Sequence, residues 1–151
     1  MIFYIDASAI VAIVGREAGS PAVDGVVRQP GVTTMVSDFT IAECSSALAR
    51  NGRVGRRTEA ENERFHRELD EWALVFGEMT EIASADITDA TTFIRRPGIS
   101  LRAPDAIHIA AAQRVGATIL TLDRGMARAA DLLGVPCINP AEADAPGDLK
   151  D

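Results

Sequence analysis

The run Ile2-Phe3-Tyr4-Ile5, ended by the acid Asp6, constrains this chain more than any other feature. Four consecutive apolar residues are too few for a helix and suit a strand covered on both faces, the kind found in parallel sheets. In an open α/β sheet the ligand crevice lies beyond the carboxyl ends of the strands, so Asp6 is expected in that crevice. Ser8 then opens an apolar helix, Ala9 to Val14.

The remainder alternates in the same sense. Ser20-Pro21 reads as a cap followed by a helix-starting proline, with a short helix through about Arg28. Val32 to Val36 is β-rich, and Ser37 or Asp38 can cap the helix after it. That helix is expected to run from Phe39 to about Arg50, closing at Asn51-Gly52. It turns Phe39, Ala42 and Ala47 toward the core and carries Glu43.

Thr58 and Glu61 form a T-x-x-E capping box for a long helix. In it Phe65, Leu69, Trp72 and Phe76 make one apolar stripe, either core or a dimer face. Met79 to Ile82 reads as a short strand. Ser84 and Asp86 open a helix with Ile87, Ala90 and Ile94 on one face, and Pro97-Gly98 ends it.

Asp105 sits in the first turn of an alanine-rich helix, apolar nearly all round and therefore buried, that Gly116 terminates. Thr118 to Leu122 repeats the opening pattern, an apolar strand closed by an acid, Asp123. A helix from about Met126 to Leu133 and a last strand, Val135 to Ile138, complete the alternation. This order predicts a parallel sheet with helices on both faces.

With 151 residues the chain is expected to be one domain. Neither a leader nor an apolar run near the ~18 residues of a membrane span is seen, so a soluble, cytoplasmic protein is expected. Cys44 and Cys137 lack zinc-ligand spacing and read as reduced, buried apolar residues. The net charge of −7 argues against holding nucleic acid by bulk electrostatics. Of 15 basic residues 14 are arginine, and Arg50, Arg53, Arg56, Arg57, Arg64 and Arg67 crowd one span. These either meet phosphates with their planar forks or form a solvated helix face.

Strand ends bring Asp6 and Asp123 to one edge of the sheet, and helices starting at that edge add Asp105 and Glu43. Two carboxylates about 4 Å apart repel by roughly 4 kcal/mol at an effective dielectric near 20, so such a pocket needs protons or a cation. Oxygen ligands without histidine or cysteine select hard ions, Mg²⁺ or Mn²⁺. Those ions bridge phosphate oxygens and lower the pKa of bound water, which suits attack on a phosphodiester.

Four segments in this order and spacing resemble the PIN domain, and within it the VapC-type toxins of bacterial toxin–antitoxin pairs. They are the strand into Asp6-Ala7-Ser8, Ser37-Asp38-Phe39-Thr40-Ile41-Ala42-Glu43, the Leu101 to Ala112 segment carrying Asp105, and Thr121-Leu122-Asp123. The likeness spans Met1 to about Pro140. It implies a three-layer α/β/α sandwich with a central, mostly parallel, Rossmann-like sheet. The domain would occupy 1–140, leaving 141–151 as a frayed acidic tail.

The resemblance further implies a Mg²⁺- or Mn²⁺-dependent endoribonuclease, a homodimer, held inactive by a cognate VapB-type antitoxin. That antitoxin is expected to lay a helix or arm over the Phe39 to Trp72 region. Carried over by position, Asp6 and Asp105 are the metal ligands, and Glu43 and Asp123 complete the catalytic acids. Ser8 and Thr121 match hydroxyl residues that orient ligand or water. Many relatives carry an aromatic three residues after the last acid, where this chain has Met126.

Rival α/β readings lack their residues. A haloacid-dehalogenase phosphatase needs an aspartate where Ser8 stands, a response regulator needs a late-strand lysine, and the lone lysine is Lys150. A dinucleotide-binding fold needs G-x-G-x-x-G after the first strand. The remaining alternative is a PIN-like module that binds RNA or protein without cutting; so repulsive a set of acids weighs against it. His66 and His108 lack metal-ligand spacing and read as structural, and Asp24, Asp38, Asp86 and Asp89 as caps or solvated positions.

Overall fold

The computed structural model describes residues 1–143. Strand β1 (Ile2–Ile5) is the centre of a five-stranded sheet and pairs in parallel with β2 (Thr33–Ser37) and β4 (Thr118–Leu120). Beyond them lie β3 (Gly77–Thr80) and β5 (Cys137–Ile138), also parallel, giving the order β3-β2-β1-β4-β5. The strand order therefore reverses between β1 and β4, the position where open parallel sheets leave a crevice at their carboxyl ends.

Alternation along β1 assigns the two faces. Phe3 and Ile5 join a core built with α1 (Ala7–Gly15), α2 (Ser20–Val27), α3 (Asp38–Val54) and α4 (Glu59–Phe76). Tyr4 points the opposite way, into a core with α6 (Ala103–Val115) and α7 (Arg124–Leu133), and α5 (Ser84–Ile94) packs on α6. The result is the expected α/β/α sandwich. Among the described residues, no helix is long and apolar enough to cross a membrane.

Several local expectations are corrected. Helix α1 starts at Ala7, because the Asp6 side chain, rather than Ser8, caps it by accepting from Ala9 N–H at 3.3 Å. Helix α2 has Gly19 at its cap position, without a side-chain bond from Ser20. Helix α3 runs through Gly52 to Val54 rather than closing at Gly52, where the Asn62 side chain of α4 occupies the place a Cβ would take. Its buried residues are Thr40, Cys44, Leu48 and Gly52 at four-residue intervals, leaving Ala42 exposed. Ser37 sets that phase by accepting from Thr40 N–H at 2.9 Å.

The third strand begins two residues earlier than its apolar pattern implied, with Met79 exposed on the sheet edge. In α5, Ile87 and Ile94 face outward while Asp86 turns in. Asp86 is fully buried, accepts from Ala83 N–H and meets the Arg114 fork at 2.8 and 3.0 Å, so it is an anchor between α5 and α6 rather than a solvated acid. Strand β4 ends at Leu120, and α7 begins at Arg124 on an Asp123 cap. Strand β5 is confined to Cys137 and Ile138.

Met126, at the place where an aromatic was expected, is fully enclosed in the α6–α7 core. The Thr58–Glu61 capping box forms as read, and Phe65, Leu69 and Trp72 are buried in the core, with Phe76 half-buried beside them. Cys44 is buried and Cys137 half-buried, both free. Ala141 to Ala143 belong to a short helix, α8 (Pro140–Ala143), where Glu142 pairs with Arg124 at 2.7 Å. The rest of the expected tail lies outside the described residues.

Candidate active site

The reversal between β1 and β4 opens into a cavity of about 480 Å³. All four acids singled out in the sequence, Asp6, Glu43, Asp105 and Asp123, line it. Each arrives by a different route.

Asp6 leaves β1 where Ile5 pairs with Leu120, and its own N–H donates to Leu120 C=O at 3.2 Å. Two hydroxyls hold its carboxylate: Ser8 donates to Oδ1 at 2.9 Å and Thr121 to Oδ2 at 3.0 Å. Those hydroxyls are fixed in turn, Ser8 Oγ accepting from Leu122 N–H and Thr121 Oγ1 from Asp123 N–H, both at 2.9 Å. Burial pushes the Asp6 carboxyl above the usual carboxylate range. The charge of His108, the Ser8 hydroxyl, the Ala9 N–H and the Thr121 hydroxyl oppose that shift. A buried carboxylate held so firmly stands ready for a positive partner.

Asp105 lies in the first turn of α6, where the helix dipole favours a negative charge. Asp123 caps α7 by accepting from Met126 N–H at 2.9 Å. Between them sits the exposed Arg102, 3.2 Å from Asp105 and 3.8 Å from Asp123. Glu43, in the second turn of α3, is hydrogen-bonded through Oε2 to His108 Nε2.

The acids thus form the wall of an open cavity. Among the described residues, no three Asp, Glu, His or Cys side chains are drawn together as a ready-made metal cage. Instead, Arg102 engages Asp105 and Asp123, and His108 engages Glu43. Oxygen donors at a cavity rim, with cationic side chains set among them, still fit a hard divalent ion in their chemistry. Cysteine chemistry does not fit, because burial pushes the Cys44 thiol up, and that of Cys137 to about 11.

Arg102 and Tyr4 escaped the sequence reading, and His108, expected to be structural, lines the cavity and bonds Glu43. Arg102 stands three before Asp105 and His108 three after it, so helical spacing was the available signal for both. Tyr4 gave none, being indistinguishable from its apolar neighbours. Within the arginine cluster, Arg50 lines the cavity, whereas Arg57 and Arg64 cover the Phe65 ring, and Arg64 and Arg67 pair with acids along α4.

A family model of the PIN domain matches residues 3–132. The chain belongs to the PIN-domain family. Solved structures with the same fold include VapBC2 from Rickettsia felis bound to a DNA fragment from its promoter, at 14% identity and TM-score 0.69, the match covering 92% of this chain and 98% of that one. FitAcB from Neisseria gonorrhoeae matches at 18% identity and TM-score 0.69, over 93% and 99% of the two chains. VapC20 from Mycobacterium tuberculosis, a sarcin-ricin loop cleaving toxin, matches at 14% and 0.61, over 84% and 94%. No curated protein sequence matches this PIN domain.

Proposed function

We propose that this PIN domain is a metal-dependent endoribonuclease and the toxin of a toxin–antitoxin pair, acting in the cytoplasm. The observation that carries the reading is the meeting of four acids from four separate chain segments in one cavity at the strand-order reversal. Likeness in fold to VapBC2 and to VapC20 supports the toxin assignment. A cognate VapB-type antitoxin as partner and a homodimeric assembly belong to the same proposal, with the antitoxin covering the Phe39 to Trp72 region.

Asp6 and Asp105 would hold Mg²⁺ or Mn²⁺, with Glu43 and Asp123 completing the acidic set. Such an ion supplies an acidified water and a counter-charge for a phosphodiester. Ser8 and Thr121 keep both oxygens of Asp6 aimed, and the hydroxyl hydrogens they spend on it prevent the carboxylate from turning away. Arg50 and Arg102, both at the cavity, can take phosphate oxygens of the RNA on planar forks. The products would carry a 5′-phosphate and a 3′-hydroxyl.

The test is cleavage of end-labelled RNA by the purified protein with Mn²⁺ or Mg²⁺ and with EDTA. Asp6→Asn and Asp105→Asn are expected to abolish cutting while the circular dichroism spectrum stays that of the parent. Ser8→Ala and Thr121→Ala are expected to lose about 10- to 100-fold. Cutting by Asp6→Asn at the parent rate rejects the assignment. Failure of the protein to bind metal or cut RNA would favour a PIN-like module that binds without cleaving, and failure to co-purify with the product of the adjacent reading frame would count against a paired toxin.

A further inference from the structure

A chain of buried polar side chains that the scheme above does not use runs from the cavity into the sheet. Tyr4, Ser37 and Thr40 are 0% exposed and His108 is 2%, so bulk solvent does not reach them and their hydrogen bonds are made within the fold. The direction of the chain follows from counting protons. Tyr4 spends its one hydroxyl hydrogen on Ser37 Oγ at 2.8 Å, and Thr40 can spend its own on Ile5 C=O at 3.4 Å. Ser37 Oγ, which accepts from Tyr4 and from Thr40 N–H, then donates to Thr40 Oγ1 at 2.8 Å. The Tyr4 oxygen is left as an acceptor toward His108 Nδ1, 2.9 Å away.

By that count Nδ1 carries the hydrogen it donates to Tyr4, and the hydrogen bond from Nε2 to Glu43 holds one further proton between ring and carboxyl. The ring is held sideways as well: the Phe39 ring centroid lies 5.2 Å from it and that of Tyr4 5.7 Å. The chain ends on the main-chain carbonyl of Ile5, the last residue of β1, so the anchor of the ring directly precedes the first acid.

We propose that His108 is a positioning residue for Glu43: the Tyr4–Ser37–Thr40 chain locks its imidazole so that Nε2 holds the Glu43 carboxyl at the cavity rim in the orientation turnover requires. The proposal rests on the nuclease reading for its catalytic consequence and on the hydrogen-bond chain alone for its structural one. Its residues lie on β1, β2, α3 and α6, so the device ties the acid of one helix to both layers through the central strand.

The experiment uses the full chain. Tyr4→Phe keeps the ring volume and removes the link, and is expected to lower kcat about 10- to 100-fold with KM for RNA within twofold of the parent. His108→Ala should behave alike, and His108→Gln, whose amide can reach Glu43, should recover part of the loss. Combined with Glu43→Gln, His108→Ala should add little further. A rise in KM at unchanged kcat, or full additivity with Glu43→Gln, overturns the positioning role.

The ring-nitrogen ¹⁵N shifts of His108 provide the arm that does not depend on activity. Nδ1 should be protonated in the parent, and Tyr4→Phe and Glu43→Gln should each shift the ring signals. A bare Nδ1 in the parent, or ring signals indifferent to both substitutions, overturns the proposal even in an active enzyme. Should the parent itself cut no RNA, the nuclease reading falls while these shifts still decide whether His108 is locked on Glu43.

Discussion

Tyr4 is the chain's one tyrosine, which makes its buried hydroxyl directly observable. Burial pushes its phenol up to about 12. Because the folded value lies above the unfolded one, the native state keeps a proton that the unfolded chain loses. Stability is complete below about pH 10 and is lost as pH rises through the folded value, by about 3 kcal/mol in all. Phenolate absorbance should appear near pH 10 in denaturant and near 12 in the folded protein; a folded-state transition at 10 would mean that the hydroxyl meets water. Arg102 offers a second test at this scale. It is exposed and engages two acids, so Arg102→Ala is expected to tighten Mn²⁺ binding about two- to fivefold, the scale of an exposed ion pair, by calorimetry. At this scale the acids were legible and their partners were not. Asp6 and Asp123 each follow an apolar strand, a signal within a few residues, whereas Tyr4 meets His108 across 104 positions and Glu43 meets it across 65.

Among the elements, the α4–β3 junction leaves no room for a side chain. A Cβ on Gly77 would stand 2.7 Å from Ala73 C=O and 2.9 Å from Val36 Cγ2, and the first of these is main chain with little room to give. Gly77→Ala is therefore expected to cost about 1–3 kcal/mol, read as a lower thermal midpoint. Elements announced by local chemistry were legible: the capping box of α4, the apolar stripe from Phe65, the glycine end of α6 at Gly116, which takes φ 67°. The faces of α3 and α5 were not, because the deciding contacts are tertiary. Gly52 lies inside α3 as the seat of Asn62, and Asp86 turns inward to reach Arg114 on the next helix. A reading by hydrophobicity alone leaves both residues outside the core.

For the whole molecule, the order β3-β2-β1-β4-β5 makes the first strand the middle of the sheet, and the alternation of strands and helices was sufficient to anticipate the parallel sandwich. It was insufficient to say which side chains the acids would engage, since that depends on Arg102 and His108. If the acids accept a divalent ion, Mn²⁺ at about 100 times its dissociation constant should stabilise the folded protein by roughly 2.7 kcal/mol. Melting with Mn²⁺ against EDTA should then show a rise that is absent in the Asp6→Asn/Asp105→Asn double variant. No rise in the parent at millimolar metal would reject the divalent-ion site.

The bracing of Asp6 has a consequence for synthesis. The residue that fastens one of its oxygens, Thr121, stands 115 positions downstream, beside the last of the four acids. A ribosome that has exported only the first two thirds of the chain has released Asp6 and Glu43 but neither Thr121 nor Asp123. A copy truncated before β4 lacks both the hydroxyl that fastens Asp6 and one of the four acids, so if the nuclease reading holds, the site is assembled only once β4 and the residues after it have been added.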